Sequence, residues 1–438
     1  MPKNISKKGE NILKFIIFIL GATVVVIVAA SLYALAPKPI QSEKISANKS
    51  LEFVRAYPET SSGEKSDYYQ GKLYKAGKIN VVALEGSYGE MGRQYGALLR
   101  EVLNANYEQI IAGIKTNDLI AAEDIEEEGG AIYDTYPEKY KEIVNGLAET
   151  SGLGIEKTKF LLAQETYVYA VLLKIAQGEN ISGAAQCSGL AVWNEYTPGG
   201  EMIFGRNYDL GPVSHEYAVL TIFNPTDGSL PTANFTFAGA IYVTSGMNRD
   251  GLFLELNNGS ASDKNNYFGE RTWAPAALLN FLEQSESLDD LAILFNSGLP
   301  DMSYIINAAS QDSAYSFEWS TNGVKKREPD KDGVLAATNI FFDPAWGAQS
   351  YDVQNDPDAI VKRRDNLIAQ AEENKGKINP EKMMEIISTP LEDGGTFRAP
   401  NFTSYEIVAE PAALKLWLRV PEYQDWTEVN LAEFFNKY

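Results

Sequence analysis

The segment that determines the fold runs from Ala184 to Leu210 and reads AAQCSGLAVWNEYTPGGEMIFGRNYDL. Two short apolar runs, CSGLAVW and MIFGRNY, flank NEYTPGGE, whose Pro-Gly-Gly favours a turn. The segment therefore predicts a β-hairpin. With a turn centred near Thr197, Cys187 lies opposite Arg206 to within about two residues, and Asp209 follows on the same strand.

The chain before the hairpin has the pattern of helices, and the chain after it has the pattern of strands. Ser87 and Glu90 have capping-box spacing, and an apolar stripe of helical period follows from Met91 to Ile114. Further helices are predicted around Tyr140–Leu147 and over Ile155–Ala176. Beyond the hairpin, strands are predicted over Tyr217–Phe223, Gly239–Thr244, Leu252–Leu256, Tyr304–Ala309, Ala314–Trp319, Val334–Ala337, Tyr405–Ala409 and Leu414–Val420, with helices over Ala274–Glu283 and Asp358–Glu373. Antiparallel strands with helices grouped between them indicate an α+β architecture of stacked sheets covered by helices.

Composition restricts the classes of function. The 438 residues include 38 Lys and Arg against 59 Asp and Glu, so the net charge is -21, which disfavours nucleic acid as a partner. The single cysteine, Cys187, and the single histidine, His215, exclude an intrachain disulfide and zinc sites built from several cysteines or histidines. We find no phosphate-binding loop and no Gly-x-Ser-x-Gly motif, and expect neither a metal nor an organic cofactor.

The N-terminal segment determines the predicted location. Residues 15–36 are 22 residues without a charge, and a helix that crosses a bilayer needs about 20. Pro37 follows the small residues Ala34 and Ala36, which argues against signal cleavage there. We therefore predict a single-pass membrane anchor and an extracytoplasmic catalytic region; the alternative is a secreted protein. The predicted boundaries are a cytoplasmic tail over 1–14, the anchor over 15–36, a linker over 37–66, a mostly helical α-chain segment over 67–186 and a catalytic β-chain region over 187–438.

Cys187 is the candidate nucleophile. Amide cleavage requires a nucleophile, a base that takes its proton, and donors that hold the oxyanion. His215 is available as a base, but nothing else in its surroundings favours it. The alternative base is the α-amine of Cys187 itself, freed by a cut after Gln186, because an α-amine with a pKa of about 8 exchanges protons readily with a thiol of about 8.5.

Four motifs, taken together, resemble a known group of enzymes. They are FGRNYD after the cysteine, EGSYGEMGRQYG at Glu85–Gly96, SGMNRDGLFLELN at Ser245–Asn257 and LAATN at Leu335–Asn339. Their order resembles the N-terminal-nucleophile (Ntn) amidases of the choloylglycine hydrolase and penicillin V acylase group. The similarity extends to the acyl-coenzyme A:6-aminopenicillanic acid acyltransferase branch, and covers about residues 80–420.

The resemblance implies a fold and a maturation step. The implied fold is a four-layer αββα sandwich of antiparallel sheets. The implied maturation is an autocatalytic cut between Gln186 and Cys187, in which the thiol attacks the Gln186 carbonyl and the acyl group shifts to sulfur. The relatives place glycine or the initiator methionine where this chain has Gln186.

Five further residues complete the predicted site. By charge and position, Asp209 orients the terminal ammonium and Arg206 supports thiolate character. The resemblance implies that Asn339 and Asn257 donate to the oxyanion, and that Arg419 matches a further arginine near the nucleophile. The structural alternatives are a salt bridge between Arg206 and Asp209, turn positions for the two asparagines, and a solvated strand position for Arg419.

Three functions follow. The first is hydrolysis of linear acyl amides through a thioester on Cys187, and the second is acyl transfer to an amine by the same residues. The third is a surface-anchored binding protein without catalysis. The predicted partners are a small acyl-amide substrate and, through the N-terminal helix, a membrane.

Overall fold

The computed structural model describes residues 51–58, 70–117, 119–179, 187–211, 215–347, 359–398 and 402–435. The predicted cytoplasmic tail, the predicted anchor over 15–36 and Gln186 lie outside these residues. Within the described part, no helix is both long and apolar enough to cross a membrane.

Strands and helices alternate in blocks along the described residues. The strands are β1 Leu51–Tyr57, β2 Gly71–Ala76, β3 Ile79–Gly86, β4 Ser188–Val192, β5 Ile203–Asp209, β6 Ala218–Pro225, β7 Thr232–Phe237, β8 Ser245–Asn248, β9 Phe253–Asn258, β10 Tyr304–Ala309, β11 Ala314–Ser320, β12 Gly323–Arg327, β13 Val334–Ala337, β14 Thr403–Glu410, β15 Lys415–Val420 and β16 Gln424–Asn430. The helices are α1 Tyr88–Leu98, α2 Arg100–Asn117, α3 Ala122–Thr135, α4 Glu138–Ser151, α5 Ile155–Leu162, α6 Gln164–Glu179, α7 Ala274–Gln284, α8 Leu288–Ser297, α9 Ile360–Glu373 and α10 Pro380–Ile387.

A ten-stranded sheet joins the chain before Cys187 to the chain after it. Its order is β1-β2-β3-β6-β7-β8-β9-β10-β11-β12. Neighbouring strands are antiparallel except β3 and β6, which run parallel, with Val81 beside Leu220. Two predicted segments differ from the structure. The predicted linker over 37–66 contains β1, and the segment over 67–186, which was predicted to be mostly helical, begins with β2 and β3.

A six-stranded antiparallel sheet contains the predicted hairpin. Its order is β13-β4-β5-β14-β15-β16. The hairpin of β4 and β5 is confirmed, with Gly189 paired to Arg206. Continuing that register places Cys187 opposite Tyr208, two positions from Arg206. The connection contains a short helical turn over Asn194–Tyr196, and the pairing is centred between Thr197 and Pro198, close to the predicted Thr197.

Strand alternation separates two cores. On β3, Val82 and Leu84 belong to the core shared with helices α1 to α8, whereas Ile79 and Val81 belong to the core between the two sheets. The outer face of the six-stranded sheet is covered by α9 and α10. Helices, ten-stranded sheet, six-stranded sheet and helices therefore follow one another in that order, which is a mixed α+β arrangement with large, mainly antiparallel sheets.

The motif EGSYGEMGRQYG forms the start of α1 and its contact with α4. The predicted capping box is confirmed, because the Ser87 side chain accepts from the Glu90 backbone and the Glu90 side chain accepts from the Ser87 backbone. Glycines permit the close approach of the two helices: a Cβ on Gly92 would lie 2.2 Å from the carbonyl oxygen of Ile143.

Two local predictions differ from the structure. The helix predicted over Ile155–Ala176 is interrupted at Ala163, which separates α5 from α6. The strand predicted over Gly239–Thr244 is a buried loop between β7 and β8, because Gly239 has a φ of 95° and its backbone N–H donates to the Tyr95 hydroxyl.

Candidate active site

The side chains of β5 point alternately to the two faces of the six-stranded sheet. Phe204 packs on Phe253 of the other sheet, with ring centroids 5.0 Å apart, and Arg206 follows on the same face. The Asn207 side chain points the other way and donates to the Ile387 carbonyl oxygen of α10 at 2.9 Å. Arg206 and Asp209, three positions apart, therefore point to opposite faces.

Cys187 is a buried thiol at the beginning of β4. It is 2% exposed, and Nη2 of Arg206 lies 3.8 Å from its Sγ. Burial raises the pKa of Cys187 to about 12. The charge of Arg206 lowers this pKa, and the charge of Asp209 raises it. The thiol of the uncut chain is therefore protonated at neutral pH and needs a base before it can attack.

Arg206 forms an ion pair that joins the two sheets. Its Nη1 lies 2.9 Å from Oε2 of Glu255 on β9, and its Nη2 donates to the Leu256 carbonyl oxygen at 2.8 Å. The guanidinium lies over the Tyr208 ring, 4.9 Å from the centroid. Oε1 of Glu255 accepts from Asn307 at 2.6 Å. Both charges are fully buried, so the guanidinium beside the thiol is held in place by groups from both sheets.

Gly189 provides the room for this ion pair. A Cβ at this position would lie 1.9 Å from Oε1 of Glu255. The contact explains why glycine stands within the otherwise apolar run CSGLAVW, because any larger residue would displace the Glu255 carboxylate.

Asp209 is a buried carboxylate on the other side of Cys187. Within the described part of the chain, neither of its oxygens has a hydrogen-bond partner. Burial raises its pKa, and the charge of Arg363 is the largest effect that lowers it. Arg363 also donates to the Cys187 carbonyl oxygen at 3.1 Å. The thiol therefore contacts Arg206 on one face of the sheet, while the main chain of Cys187 and Asp209 share Arg363 on the other.

The two predicted oxyanion donors have different surroundings. Asn339 follows β13 and donates to the Asn258 carbonyl oxygen at 3.0 Å, while its own oxygen accepts from Arg363 at 3.2 Å. Asn257 is fully buried and directs its amide toward Glu255, 3.4 Å away. The structure therefore brings Asn339 to the Cys187 main chain through Arg363, and Asn257 to the ion pair of Arg206.

The prediction that Arg419 lies near the nucleophile is wrong. Its guanidinium pairs with Glu406 and contacts the Ser388 hydroxyl at 3.1 Å, next to α10. Arg419 is paired in register with Glu406, and Ile407 with Arg206. Because adjacent strand positions face opposite ways, Arg419 lies on the face of the sheet away from Arg206.

Sequence reasoning missed Glu255, Arg363 and Glu165. Glu255 had a signal, because a charged residue in the apolar run LFLELN needs a buried partner. Arg363 and Glu165 lie on helices after and before the hairpin, and no local pattern distinguishes them from solvated charges. Glu165 accepts from the Tyr208 hydroxyl at 2.7 Å.

Within the described residues, neither His215 nor a metal-binding group of side chains lies at the cavity of Cys187. Burial lowers the pKa of His215, and the residue is not among those that line the cavity at Cys187. No group of three His, Cys, Asp or Glu side chains is placed to hold a metal ion within the ranges that the structure describes.

A cavity of about 310 Å³ opens beside Cys187. Cys187, Leu256 and Asn258 are among the residues that line it, and helices α3 and α6 contribute Glu128 and Glu165. Cavities of this size hold small organic ligands. The arrangement therefore places a single thiol, with a fixed guanidinium behind it, at the wall of a ligand-sized cavity.

No family model and no curated protein sequence matches the chain. Among solved structures, it is similar to a Caenorhabditis elegans ortholog of N-acylethanolamine-hydrolyzing acid amidase, with 17% identity and a TM-score of 0.40, over 57% of this chain and 97% of that one. A variant of conjugated bile acid hydrolase from Clostridium perfringens is 12% identical, with a TM-score of 0.39, over 56% and 93%. Penicillin V acylase from Agrobacterium tumefaciens is 11% identical, with a TM-score of 0.39, over 56% and 87%. All three belong to the Ntn-hydrolase, choloylglycine hydrolase-like group that the motifs resemble. At these TM-scores the similarity assigns no role to any side chain of this chain.

Proposed function

We propose that the chain is a cysteine Ntn amidohydrolase, that its layers form the four-layer αββα sandwich, and that it cuts itself before Cys187 and then cleaves linear acyl amides. One observation carries this proposal. The Cys187 thiol contacts Arg206, while the Cys187 main chain and the unpartnered carboxylate of Asp209 both face Arg363. A newly formed α-ammonium would add a hydrogen-bond donor and a positive charge beside Asp209, whose pKa burial raises in spite of Arg363.

The maturation step begins from the protonated thiol. Asp209 takes the proton of the thiol, because burial raises the pKa of this carboxyl and makes it a stronger base, while Arg206 beside the sulfur stabilises the thiolate. The sulfur attacks the carbonyl carbon of Gln186, the C–N bond to Cys187 breaks, and the nitrogen receives the proton. Water then hydrolyses the thioester, which leaves a carboxylate on Gln186 and a free amine on Cys187.

Turnover uses the freed amine as the base. It takes the thiol proton while sulfur attacks the substrate amide, and it returns that proton to the leaving amine as the tetrahedral intermediate collapses. Asn339 supplies an N–H to the oxyanion, and the buried Arg206 stabilises negative charge on sulfur. Water hydrolyses the acyl thioester and restores Cys187.

The two chains produced by the cut stay together in this proposal. Strand β3 lies before the cut and pairs with β6 after it, in the interior of the ten-stranded sheet. Helices α1 to α6 also share the large core with α7 and α8. We propose further that the N-terminal segment anchors this assembly to a membrane, with the active site outside the cytoplasm.

Hydrolysis and acyl transfer differ only in what accepts the acyl group from Cys187. The binding-protein alternative predicts an intact chain and a thiol that resists alkylation until unfolding. Since Cys187 is 2% exposed before any cut, an unprocessed enzyme would resist alkylation too. Covalent acylation during turnover separates the alternatives more clearly.

The experiment traps the acyl-enzyme. The full-length protein, purified in detergent, is mixed with a panel of N-acyl amides and quenched with acid. It is then digested, and the masses of its peptides are measured by mass spectrometry. We expect the acyl mass on Cys187 and release of the free amine, with neither in Cys187→Ala and both in the neighbouring control Ser188→Ala. Added primary amine that becomes acylated would favour the transferase. Turnover that persists in Cys187→Ala would exclude the proposal.

A further inference from the structure

Two carboxylates line the cavity at Cys187. Glu128 comes from α3 and Glu165 from α6. Among the described residues of the cavity wall, none is a lysine, arginine or histidine. When they are ionised, Glu128 and Glu165 therefore give this wall a negative charge, in addition to the net charge of -21 on the whole chain.

Glu165 is the more buried of the two. It is 7% exposed, its Oε2 accepts from the Tyr208 hydroxyl at 2.7 Å, and its Oε1 is buried without a partner in the part of the chain that the structure describes. Burial raises the pKa of Glu165 to about 7, against lowering by Tyr208 and Arg206. Arg206 already pairs with Glu255, so its charge does not neutralise Glu165.

Glu128 lies on the same wall and is only partly buried. Burial raises its pKa, a hydrogen bond with Thr166 lowers it, and the charge of Asp124 raises it. A positively charged ligand beside Glu128 would relieve the repulsion from Asp124, and the partly buried position screens this attraction less than bulk water does.

Aromatic rings complete the wall around these carboxylates. Tyr169, Phe268, Trp273 and Tyr304 all line the cavity. Aromatic faces attract ammonium groups through their quadrupoles, by about 0.5–2 kcal/mol for each well-placed ring. Aromatic rings beside carboxylates are surroundings that bind an organic cation, whereas ionised carboxylates repel an anion.

We propose that the cavity selects substrates that carry an ammonium group away from the scissile amide, and excludes substrates with a carboxylate or sulfonate there. This inference rests on the proposed function, because only an enzyme has substrates, but the binding preference itself requires no catalysis. The aromatic rings hold the hydrocarbon portion, and Glu128 and Glu165 hold the ammonium.

The test uses three probes of one length and different charge: n-hexylammonium, n-hexanol and hexanoate. Their binding to the full-length wild-type chain in detergent is measured by calorimetry at pH 8, above the pKa of Glu165. We expect hexylammonium to bind at least about 10-fold more tightly than hexanol, and hexanoate not to bind. Equal affinity for hexylammonium and hexanoate would overturn the proposal.

Variants separate the site from the general charge of the protein. Glu128→Gln should weaken hexylammonium binding about 5- to 10-fold and leave hexanol unchanged. Glu126→Gln, an exposed position on the same helix, is the matched control and should change neither. An equal loss in both variants would show that the net charge, and not the cavity, attracts the probe. Because Glu128 is partly exposed, its substitution is compatible with folding.

A second measurement distinguishes failure of this inference from failure of the proposed function. Matched amides whose acyl chains end in ammonium, methyl or carboxylate are offered to the same protein. Cleavage of all three at similar rates would leave the amidohydrolase standing and refute the charge selection. Hexylammonium binding that Glu128→Gln weakens, without cleavage of any amide, would support the cavity preference and refute the catalytic proposal.

Discussion

Two arginine–glutamate pairs in the same six-stranded sheet have different surroundings. Arg206 pairs with Glu255 between the sheets, and both side chains are fully buried. Arg419 pairs with Glu406 under α10, and its side chain is 16% exposed. The free side of Arg206 contacts the only thiol of the chain, whereas Arg419 contacts the Ser388 hydroxyl.

The difference arises from a single position of strand register. Ile407 pairs with both Arg206 and Leu418, so Arg419 is one residue away from the position that would share the face of Arg206. Motif resemblance locates a residue along the chain, but the parity of its strand position decides which side of the sheet it serves. We therefore expect the inner pair, Arg206 and Glu255, to affect chemistry. The outer pair, Arg419 and Glu406, should affect only stability.

The largest expected effect comes from removing each arginine in turn. Arg206→Met should lower amide cleavage at least about 100-fold, because it removes the cation beside the thiol. It should also lower the free energy of unfolding by about 3–5 kcal/mol, since Glu255 is left buried without its partner. Amide cleavage and urea unfolding measure the two effects.

Arg419→Met is the matched control for this prediction. It leaves Glu406 without its arginine but does not touch Cys187, so stability should fall by a smaller amount while cleavage per folded molecule is retained. If both variants lost cleavage equally, the assignment of the two faces would be wrong.

Asp209 gives a prediction with a sign in pH. Burial raises its pKa above the ordinary value of about 4, so at intermediate pH the folded chain binds more protons than the unfolded chain. Its contribution to the free energy of unfolding therefore falls as pH rises from the unfolded pKa through the raised folded pKa. The side chain in Asp209→Asn does not titrate in this pH range, so the variant lacks this dependence on pH.

The measurement compares Cys187→Ala with Cys187→Ala carrying Asp209→Asn, both uncut, by urea unfolding from pH 4 to 8. The stability of the double variant relative to the single one should rise with pH and level off above the raised pKa. A difference that falls with pH would mean that the Asp209 carboxylate is stabilised in the fold, and that the charge of Arg363 outweighs the effect of burial.

The smallest expected effect compares two glycines on adjacent strands. Gly189→Ala brings a methyl group onto the Glu255 carboxylate, and Gly205→Ala brings one to 2.6 Å from Sδ of Met383 on α10. Each should destabilise the fold by about 1–3 kcal/mol through overpacking.

Only Gly189→Ala should also lower amide cleavage, because it displaces Glu255 and with it Arg206. The ratio of cleavage rates, corrected for the folded fraction, measures the difference. An equal loss of cleavage in both variants would refute the role assigned to the inner pair.

Local patterns in the sequence were sufficient for the parts of the site that are close in the chain. The hairpin that brings Cys187 near Arg206, and the capping box at Ser87 and Glu90, depend on turn chemistry and short spacing. Both are present in the structure. The strand predicted over Gly239–Thr244 failed because an apolar run in a buried loop has the same composition as a strand.

The remaining parts of the site depend on contacts between distant segments. Glu255 reaches Arg206 from the other sheet, and Arg363 reaches the Cys187 carbonyl oxygen from a helix 176 residues along the chain. The parallel pairing of β3 with β6 similarly joins segments on either side of the cysteine. Single-sequence periodicity carries no information on such pairings, and for Arg419 it carried none on the face of the sheet.

Self-cleavage before Cys187 is tested directly by the intact mass and N-terminal sequence of the purified full-length protein, wild type beside Cys187→Ala. We expect two chains in the wild type, one beginning at Cys187, and a single uncut chain in the variant. A wild-type protein that remains one chain and still cleaves amides would contradict the α-amine as the base, and with it the role of Asp209.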